Sequence, residues 1–366
     1  MLGGGHLGRY AVMAARQMGY STVVLDPSPD APAGKVADEH LIADFDDAAA
    51  LDRLSAMCAV VTTEFENPPA ASLDRLARST IVRPVPSAIA VAQDRIAEKA
   101  FLVSQGIAVG PYCVVGKGQR YDEVVPGIVK TARLGYDGHG QRSVTSAVDV
   151  DEAVHRLGEV PCVVERRLDL VMEVSVVLGR SVDGTVAIWE IAENVHVDGV
   201  LDLTVVPARI TRDLADDAVD LARRIAGALD YVGVLAVEMF VVDIDGALRV
   251  LINELAPRPH NSGHWTLDGS MTDQFAQQIR AVTGAALGNT KMTVPAVAMV
   301  NLLGDLWQHG EPKWALVLDE PRAHLHLYGK SSPRAGRKMG HLTVTGDSVH
   351  EVASRALALR SSLNST

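Results

Sequence analysis

With 366 residues, 48% of them hydrophobic, the chain is long enough for two or three domains and apolar enough for a large core. A net charge of -11 and an aromatic content of only 4% argue against a nucleic-acid surface, which needs basic stripes and stacking rings. No apolar run is long enough to span a membrane, and the three cysteines are too far apart for a disulfide framework or a cysteine zinc motif, so we expect a cytoplasmic protein with reduced thiols.

The N-terminal part, residues 1–95, alternates helical and strand patterns as in a doubly wound parallel sheet. Its glycine loop, residues 3–8 (GGGHLG), precedes a helical pattern, and the next buried strand ends at Asp26. Such a loop can bind a dinucleotide pyrophosphate, with the aspartate on a ribose, but it can also bind other phosphates or only form a tight turn. Because only Met1 and Leu2 precede the glycines, we expect a first strand that starts late or has lost residues.

A glycine-dense loop dominates the next part, where short strands from residue 111 to about 168 predict a small α+β module with a mobile cover. This lid loop, residues 135–141 (GYDGHGQ), has three glycines that let the backbone approach phosphate oxygens closely. Lys130 on the preceding strand supplies a positive charge within reach. A flexible hairpin tip would have a similar composition, so both interpretations stand at this point.

Two alternating apolar runs flank an Asp-Gly turn at residues 245–246, which predicts a β-hairpin. Counting back from the turn places Glu238 and Glu254 opposite each other to within about one residue. Facing carboxylates repel each other unless a cation lies between them, and Mg²⁺ binds through carboxylates and substrate phosphates; two glutamates at a wet sheet edge are the alternative. Strict alternation groups Glu254 with Ile252 and directs Asn253, a neutral oxygen donor, to the other face.

After the hairpin, His260 and His264 have the four-residue spacing of a helical zinc site. The Asn-Ser-Gly between them and the Arg-Pro before them disfavour a helix, so we expect a loop that binds an anionic or phosphorylated small molecule. The candidate ligands of this substrate loop are Arg258, His260, Asn261, Ser262 and Gly263. We expect the remaining candidates, His324, His326 and His341, to be surface strand residues.

A later basic segment, residues 329–338 (GKSSPRAGRK), either meets the same ligand or forms a solvated turn. Its cationic side chains are Lys330, Arg334, Arg337 and Lys338.

Motifs along nearly the whole chain resemble those of one family, the N5-carboxyaminoimidazole ribonucleotide synthetases of the ATP-grasp superfamily. They are GGGHLGR, EFENPP, QDRIAEKAFL, GYDGHGQ, YVGVLAVEMF, NELAPRPHNSGHWT, QFAQQIRAVTG and GRKMGH, of which NELAPRPHNSGHWT is highly specific. The resemblance implies an ATP-grasp fold of mixed α/β and α+β class. Its parts would be a Rossmann-like domain (1–95), a linker and lid domain (96–170), a central antiparallel-sheet domain (171–300) and a small C-terminal domain (301–366).

The resemblance also implies a reaction, the ATP- and bicarbonate-dependent carboxylation of 5-aminoimidazole ribonucleotide through carboxyphosphate in purine biosynthesis. The implied cofactor is Mg²⁺ or Mn²⁺, held by Glu238 and Glu254, and the implied assembly is a homodimer. The implied ATP-binding residues are Arg95, Lys130, Gly135, Tyr136, Asp137, Gly138, His139, Gly140, Gln141, Glu165, Arg166, Arg167, Leu168, Glu173, His196, Asn253 and Glu254. The implied ribonucleotide-binding residues are Tyr136, Asp137, Arg258, His260, Asn261, Ser262, Gly263, Lys330, Arg337 and Lys338.

Lys130, Tyr136 and Asp137 are the implied catalytic residues. Asp137 would steer or accept a proton, or only hydrogen-bond the substrate. Two residues depart from the family pattern. His139 stands where the family usually has lysine or arginine, and His6 stands where it usually has glutamine. Since imidazole titrates near neutrality, we expect ATP affinity at high pH to be weaker than in a His139→Arg variant.

Three other functions stay open at this point. A nicotinamide-dependent reductase would use the glycine loop and Asp26. An ATP-grasp relative could act on another purine-pathway ribonucleotide. A catalytically impaired ATP-binding protein would bind nucleotide without turnover.

Overall fold

A computed structural model describes residues 1–135 and 138–363, so Tyr136 and Asp137 lie outside the described residues. The helices are α1 His6–Gln17, α2 Ala48–Met57, α3 Ala70–Ala77, α4 Pro86–Ala92, α5 Arg95–Ser104, α6 Val148–Arg156, α7 Arg212–Ala228, α8 Thr266–Gly269, α9 Gln274–Thr283, α10 Ala315–Leu318 and α11 Val349–Leu363. Within these ranges, no helix combines the length and the apolar character needed to cross a membrane.

In the part of the chain that the structure describes, the strands form three sheet regions, of which the N-terminal one consists of two short parallel pairs joined by Leu2. They are β1 Val23–Leu25, β2 Glu39–Leu41, β3 Val60–Val61, β4 Ile81–Val82, β5 Tyr112–Val114, β6 Gly127–Thr131, β7 Gln141–Val144, β8 Cys162–Arg166, β9 Leu170–Arg180, β10 Val186–Ile188, β11 Ala192–Val197, β12 Val200–Val206, β13 Gly233–Ile244, β14 Ala247–Ala256, β15 Ala296–Leu303, β16 Ala323–Leu327 and β17 Lys338–Gly346.

The N-terminal region is a parallel arrangement, as the alternating pattern predicted. β1 pairs with β2 and β3 pairs with β4, both in parallel. Leu2 lies between the two pairs and forms parallel bridges to Leu25 and Thr63. Leu2 and Leu25 are both fully buried in the leucine-rich core of this region. The glycine loop therefore begins at the carboxyl edge of the sheet, where it leads directly into α1.

A second sheet, in the order β5-β8-β6-β7, forms the predicted small module. Val129, Val144 and Val164 from this sheet pack with Val150 of α6 in a core of their own. The lid loop connects β6 to β7, so it lies at the end of an antiparallel hairpin.

The third sheet is large and antiparallel, in the order β14-β13-β9-β11-β12-β15-β17-β16, with β10 on β9. One of its faces packs on α7 and on the segment of α4 and α5, which contributes Ala88 and Leu102 to the same core. The other face buries Trp189 and Trp265. Because β12 pairs with β15, strands before and after residue 300 belong to one sheet. The four-part domain division stays a prediction.

Candidate active site

A cavity of about 600 Å³ lies where the lid loop, the large sheet and the C-terminal strands meet. Predicted residues from all of these parts line it, namely Gly135, His139, His196, Glu238, Glu254, Arg258, His260, Asn261, Lys330, Arg337 and Lys338. The basic segment thus contributes side chains to a shared cavity, although residues 331–336 within it are exposed. The residues that line the cavity are up to 332 positions apart in the chain, between His6 and Lys338.

A β-bulge brings the two candidate carboxylates together. Glu238 lies directly opposite Glu254, but the next pair is Met239 with Ile252, which leaves Asn253 without a cross-strand partner. Met239 and Ile252 pack into the core on one face. The extra residue reverses the alternation, so Glu254 shares the other face with Glu238. The predicted pairing is confirmed, whereas the expectation that Glu254 shares a face with Ile252 is wrong because strict alternation takes no account of a bulge.

Neighbouring side chains favour the ionised form of each carboxylate. Nη1 of Arg95 donates a hydrogen bond to Oε2 of Glu254 at 2.6 Å, and Nε2 of His260 lies 2.9 Å from Oε1 of Glu238. Burial by itself would raise the pKa of Glu254, but Arg95 and then Lys130 lower this pKa well below its ordinary value. Burial likewise opposes the effect of His260, which lowers the pKa of Glu238.

Asn253 completes a set of oxygen donors suited to a hard divalent cation. Its Oδ1 atom is buried and has no hydrogen-bond partner. It adjoins Glu254 in sequence, and two ionised carboxylates with one amide oxygen match the oxygen ligands that Mg²⁺ prefers. The residues present therefore fit a magnesium ion, on the evidence of an unsatisfied oxygen as well as of the paired charges.

A buried ion-pair cluster lies beside the carboxylate pair. Nζ of Lys130 donates to Oε2 of Glu165 at 3.1 Å, and Nζ of Lys99 lies 3.4 Å from Oε1 of the same residue. Burial would raise the pKa of Glu165, but Lys130, Lys99 and Arg95 together lower it. Sequence reasoning missed Lys99, although its position four residues after Arg95 places both cations on one side of α5.

The other predicted nucleotide residues divide into two groups. Oε2 of Glu173 lies 2.8 Å from Nδ1 of His196, which faces the cavity. The segment after Glu165 does not line this cavity: Arg166 and Arg167 are exposed, and Leu168 is half-buried.

The substrate loop has a short 3₁₀ turn, Asn261–Gly263, which the His260 side chain caps. Ser262 is fully buried, and its hydroxyl bonds Ser175 at 2.8 Å and Nδ1 of His260 at 2.9 Å. A Cβ at Gly263 would approach Oε1 of Gln274 to 2.5 Å. Ser262 and Gly263 are therefore packed behind the loop and do not line the cavity, unlike His260 and Asn261.

The contacts of His264 argue against the zinc site that its spacing from His260 suggested. It is fully buried, and its Nδ1 bonds Nε2 of Gln274 at 2.9 Å, whereas His260 contacts Glu238. The two histidines thus have separate partners, as the predicted loop implied. The expectation of surface histidines further on is wrong for His341, which is fully buried, while His324 is exposed and His326 is half-buried.

Glu66 and Gly199 are two of the cavity-lining residues that were not predicted from the sequence. Glu66 forms an ion pair with Arg258. Its signal was the EFENPP motif, which places carboxylates just after a buried strand. Gly199 lies in the turn between β11 and β12, where Asp198 and Gly199 both have positive φ angles, 51° and 78°. An Asp-Gly pair between apolar runs is a hairpin signal, and here it places the turn against Gly138 of the lid loop.

Backbone N–H groups of the glycine loop donate hydrogen bonds to carboxylates of the protein itself. The N–H of Gly4 donates to Asp26 at 2.7 Å, and those of Gly5 and Gly8 donate to Glu64 at 2.9 and 3.1 Å. A pyrophosphate at this helix N-terminus would lose these donors to Asp26 and Glu64 and would face their negative charge. The reductase interpretation therefore loses its structural basis.

Comparisons with known proteins cover nearly the whole chain. A model of the ribonucleotide synthetase preATP-grasp domain matches residues 1–93, a model of the ATP-grasp domain matches residues 100–275, and a model of the phosphoribosylaminoimidazole carboxylase C-terminal domain matches residues 297–355. The N5-carboxyaminoimidazole ribonucleotide synthase of Brucella melitensis is 43% identical over 350 residues, which cover 94% of each chain.

Solved structures agree. An ADP complex of an N5-carboxyaminoimidazole ribonucleotide synthetase has a TM-score of 0.90 at 38% identity, covering 98% of this chain and 94% of the other. The Aspergillus clavatus synthase, in complex with ADP and 5-aminoimidazole ribonucleotide, has a TM-score of 0.89 at 28% identity, covering 99% and 97%. Together with the full-length match at 43% identity, these findings show that the chain belongs to the N5-carboxyaminoimidazole ribonucleotide synthase family of ATP-grasp proteins.

Proposed function

We propose that the protein carboxylates the exocyclic amine of 5-aminoimidazole ribonucleotide, using ATP and bicarbonate, to give N5-carboxyaminoimidazole ribonucleotide, ADP and phosphate. The observation that carries the proposal is the cavity itself, which joins the paired carboxylates Glu238 and Glu254 to the basic residues of the substrate loop and the basic segment. Family membership supports the same reaction, as does the bound pair of ligands in the Aspergillus clavatus relative.

The nucleotide would lie between the lid loop and the large sheet. Arg95 and Lys130 are cations near the carboxylate pair, and both are mostly buried. Glycines of the lid loop give its backbone amides close access to phosphate oxygens. The segment Glu165–Leu168 would meet the adenine, and Glu173 with His196 would complete the pocket. Tyr136 and Asp137 have proposed roles in this loop but lie outside the described residues.

Magnesium, or manganese, would be held by Glu238 and Glu254, with Asn253 beside them. A bound ion of this kind would supply positive charge next to the phosphate oxygens of ATP. In the chain as described, Arg95 is the cation on Glu254, so Arg95 would be free to turn toward the phosphates once Glu254 has another positive partner.

The chemistry needs one phosphoryl transfer and one carboxylation. A bicarbonate oxygen attacks the γ-phosphorus, the bond to the ADP oxygen breaks, and Lys130 and Arg95 stabilise the charge that develops on the phosphoryl oxygens. Carboxyphosphate then splits into carbon dioxide and phosphate. The exocyclic amine attacks the carbon dioxide and loses a proton, for which Asp137 is the proposed acceptor.

The ribonucleotide monophosphate would bind at the basic end of the cavity. Arg258 from the substrate loop lines it together with Lys330, Arg337 and Lys338 from the C-terminal part. Guanidinium and ammonium groups are the usual protein partners of a phosphate dianion. We also propose a cytoplasmic homodimer, by analogy with the family.

Initial rates of ADP release test this function. We expect hydrolysis of magnesium-ATP to depend on 5-aminoimidazole ribonucleotide and to fall when bicarbonate is stripped from the buffer. A rate that ignores the ribonucleotide would contradict the proposed substrate. Measurable ATP binding with no turnover under any condition would instead favour an ATP-binding protein that has lost catalysis.

A further inference from the structure

Three polar side chains that are not part of the candidate active site meet at the edge of the large sheet. His326 on β16 lies directly opposite His341 on β17, and their rings stack with centroids 4.4 Å apart at 10°. Asp268 from α8 approaches them, with its two carboxylate oxygens 2.9 and 3.2 Å from Nε2 of His326. One ligand atom from each of the three residues lies within 4.8 Å of the others.

One member of the cluster is fully buried and has a ring nitrogen without a hydrogen-bond partner. His341 is fully buried, and its Nε2 atom has no hydrogen-bond partner. The other ring nitrogen, Nδ1, is 3.0 Å from the hydroxyl of Tyr328, which fixes the ring. Unpartnered polar atoms in a protein interior are rare because they forgo the hydrogen bonds they make in water. A group that accepts the Nε2 lone pair would remove this cost.

We propose that Asp268, His326 and His341 form a binding site for a divalent transition-metal ion, best suited to Zn²⁺. The site goes beyond the proposed carboxylation and does not depend on it. His324 on the same strand is available as a fourth ligand, since its Nδ1 atom lies 3.6 Å from Oδ1 of Asp268.

The donor set fits this ion, and two of its spacings are already close to those of a bound ion, whereas the ligand atom of His341 lies only within 4.8 Å of the others. Zinc binds imidazole nitrogen and carboxylate oxygen at about 2.0–2.2 Å in tetrahedral geometry, which separates two ligand atoms by roughly 3.3 Å. The separations between Asp268 and the imidazoles of His326 and His324 lie near this value. Two imidazoles also favour zinc over magnesium, which prefers oxygen donors. The Tyr328 hydroxyl on the remote nitrogen of His341 is the kind of outer contact that orients a ligating histidine.

A metal ion here would join elements that carry cavity residues. Asp268 follows the substrate loop by a few residues, His326 precedes Lys330, and His341 follows Lys338. The ion would therefore act as a structural clamp behind the basic end of the cavity.

Cobalt titration of the whole, untagged protein after treatment with a chelator tests the site. We expect one Co²⁺ per chain with the visible absorption of a tetrahedral nitrogen and oxygen site, displaced by one equivalent of Zn²⁺. We expect Zn²⁺ to raise Tm, because an ion that binds only the folded state stabilises it. Asp268→Asn and His326→Gln should each weaken cobalt binding by about 100-fold.

Two control variants separate this site from other metal binding. His309→Gln removes an exposed histidine that is not part of the cluster and should leave the titration unchanged. Glu238→Gln disrupts the candidate magnesium site, and the cobalt absorption should survive it. Absence of stoichiometric cobalt binding to the wild type would overturn the proposal, and so would wild-type affinity in His326→Gln. If Asp268→Asn does not fold, the Tm shift that Zn²⁺ causes in the wild type still tests the site, because it requires no variant.

Discussion

At the scale of single residues, Glu254 has the most demanding position in the cavity. It lies opposite another carboxylate, and Arg95 compensates for the resulting repulsion. The same carboxylate is a proposed magnesium ligand, so it has to exchange one positive partner for another when the substrates bind. A residue with both tasks cannot be replaced by its neutral isostere without loss.

Glu254→Gln should reduce ribonucleotide-dependent ADP release by about 100-fold or more, because a neutral amide neither balances Arg95 nor attracts a divalent ion. Steady-state kinetics at saturating magnesium measures the change. Glu190→Gln, at an exposed position before β11, is the matched control and should behave like the wild type. An unaltered rate in Glu254→Gln would remove this residue from the site.

His6 links stability to pH. Burial lowers the pKa of His6 well below its ordinary value, and Lys330, Lys338, Arg258 and His341 lower it further. The folded protein therefore binds fewer protons at this residue than the unfolded chain, whose imidazole titrates at about 6.5. The stability that the neutral ring contributes is present above this pH and is lost as the pH falls below it.

His6→Gln should make the loss of stability below pH about 6.5 shallower, since each such imidazole contributes up to about 1.4 kcal/mol per pH unit. Thermal unfolding of both proteins between neutral and mildly acidic pH measures the difference. His350→Gln, at an exposed position on α11, should keep the wild-type slope. Parallel curves for His6→Gln and the wild type would show that His6 does not titrate as described.

At the scale of elements, α1 depends on a carboxylate from a distant loop. Glu64 accepts hydrogen bonds from the N–H groups of Gly5 and Gly8, at the helix N-terminus. These are donors that a helix cannot satisfy by itself, and the negative charge also suits the positive end of the helix dipole. The contact spans 59 residues of sequence, between Gly5 and Glu64.

Glu64→Gln should lower the free energy of unfolding by about 1–2 kcal/mol, because one acceptor becomes a donor and the charge is lost. Denaturant unfolding provides the measurement. Asp74→Asn, an exposed change on α3 in the same region, is the control and should cost little. Equal stability of the two variants would mean that water can replace Glu64.

The turn between β11 and β12 contacts the lid loop through two glycines. A Cβ at Gly199 would lie 2.9 Å from the Cα of Gly138. Gly246, in the turn between β13 and β14, has a similar φ of +81° but nothing within 4 Å of the added atom. Substitutions at these two glycines therefore distinguish the effect of backbone strain from the effect of contact with the lid loop.

Gly199→Ala and Gly246→Ala should lose similar stability, about 1 kcal/mol each, because both place alanine at positive φ. Only Gly199→Ala should also raise the KM for ATP, since it displaces Gly138. Thermal unfolding and steady-state kinetics of the pair separate the two effects. Equal KM values would indicate that the lid does not use this turn.

Local sequence patterns predicted the helices and strands better than they predicted which elements pack against one another. The Asp-Gly turn gave the pairing of Glu238 with Glu254, because the register of a hairpin is set by its turn. The bulge at Asn253 has no period-2 signature and was missed. The burial of His341 was also missed, since a strand pattern does not reveal which elements cover its faces.

At the scale of the whole molecule, the motif resemblance predicted the family, and the comparisons confirm it. Motif positions also predicted most of the residues around the cavity. They did not show that β15, β16 and β17 extend the large sheet, because the pairing of β12 with β15 depends on tertiary packing between distant segments. This continuous sheet brings the basic segment to the substrate loop.

In the proposed reaction, bicarbonate attacks the γ-phosphoryl group of ATP in this cavity. Incubation with [18O]bicarbonate and 5-aminoimidazole ribonucleotide tests it directly, with mass analysis of the phosphate formed at short times. Attack by bicarbonate, followed by breakdown of carboxyphosphate, transfers one labelled oxygen to each phosphate. Phosphate that carries only solvent oxygen would contradict attack by bicarbonate, because water would then be the nucleophile.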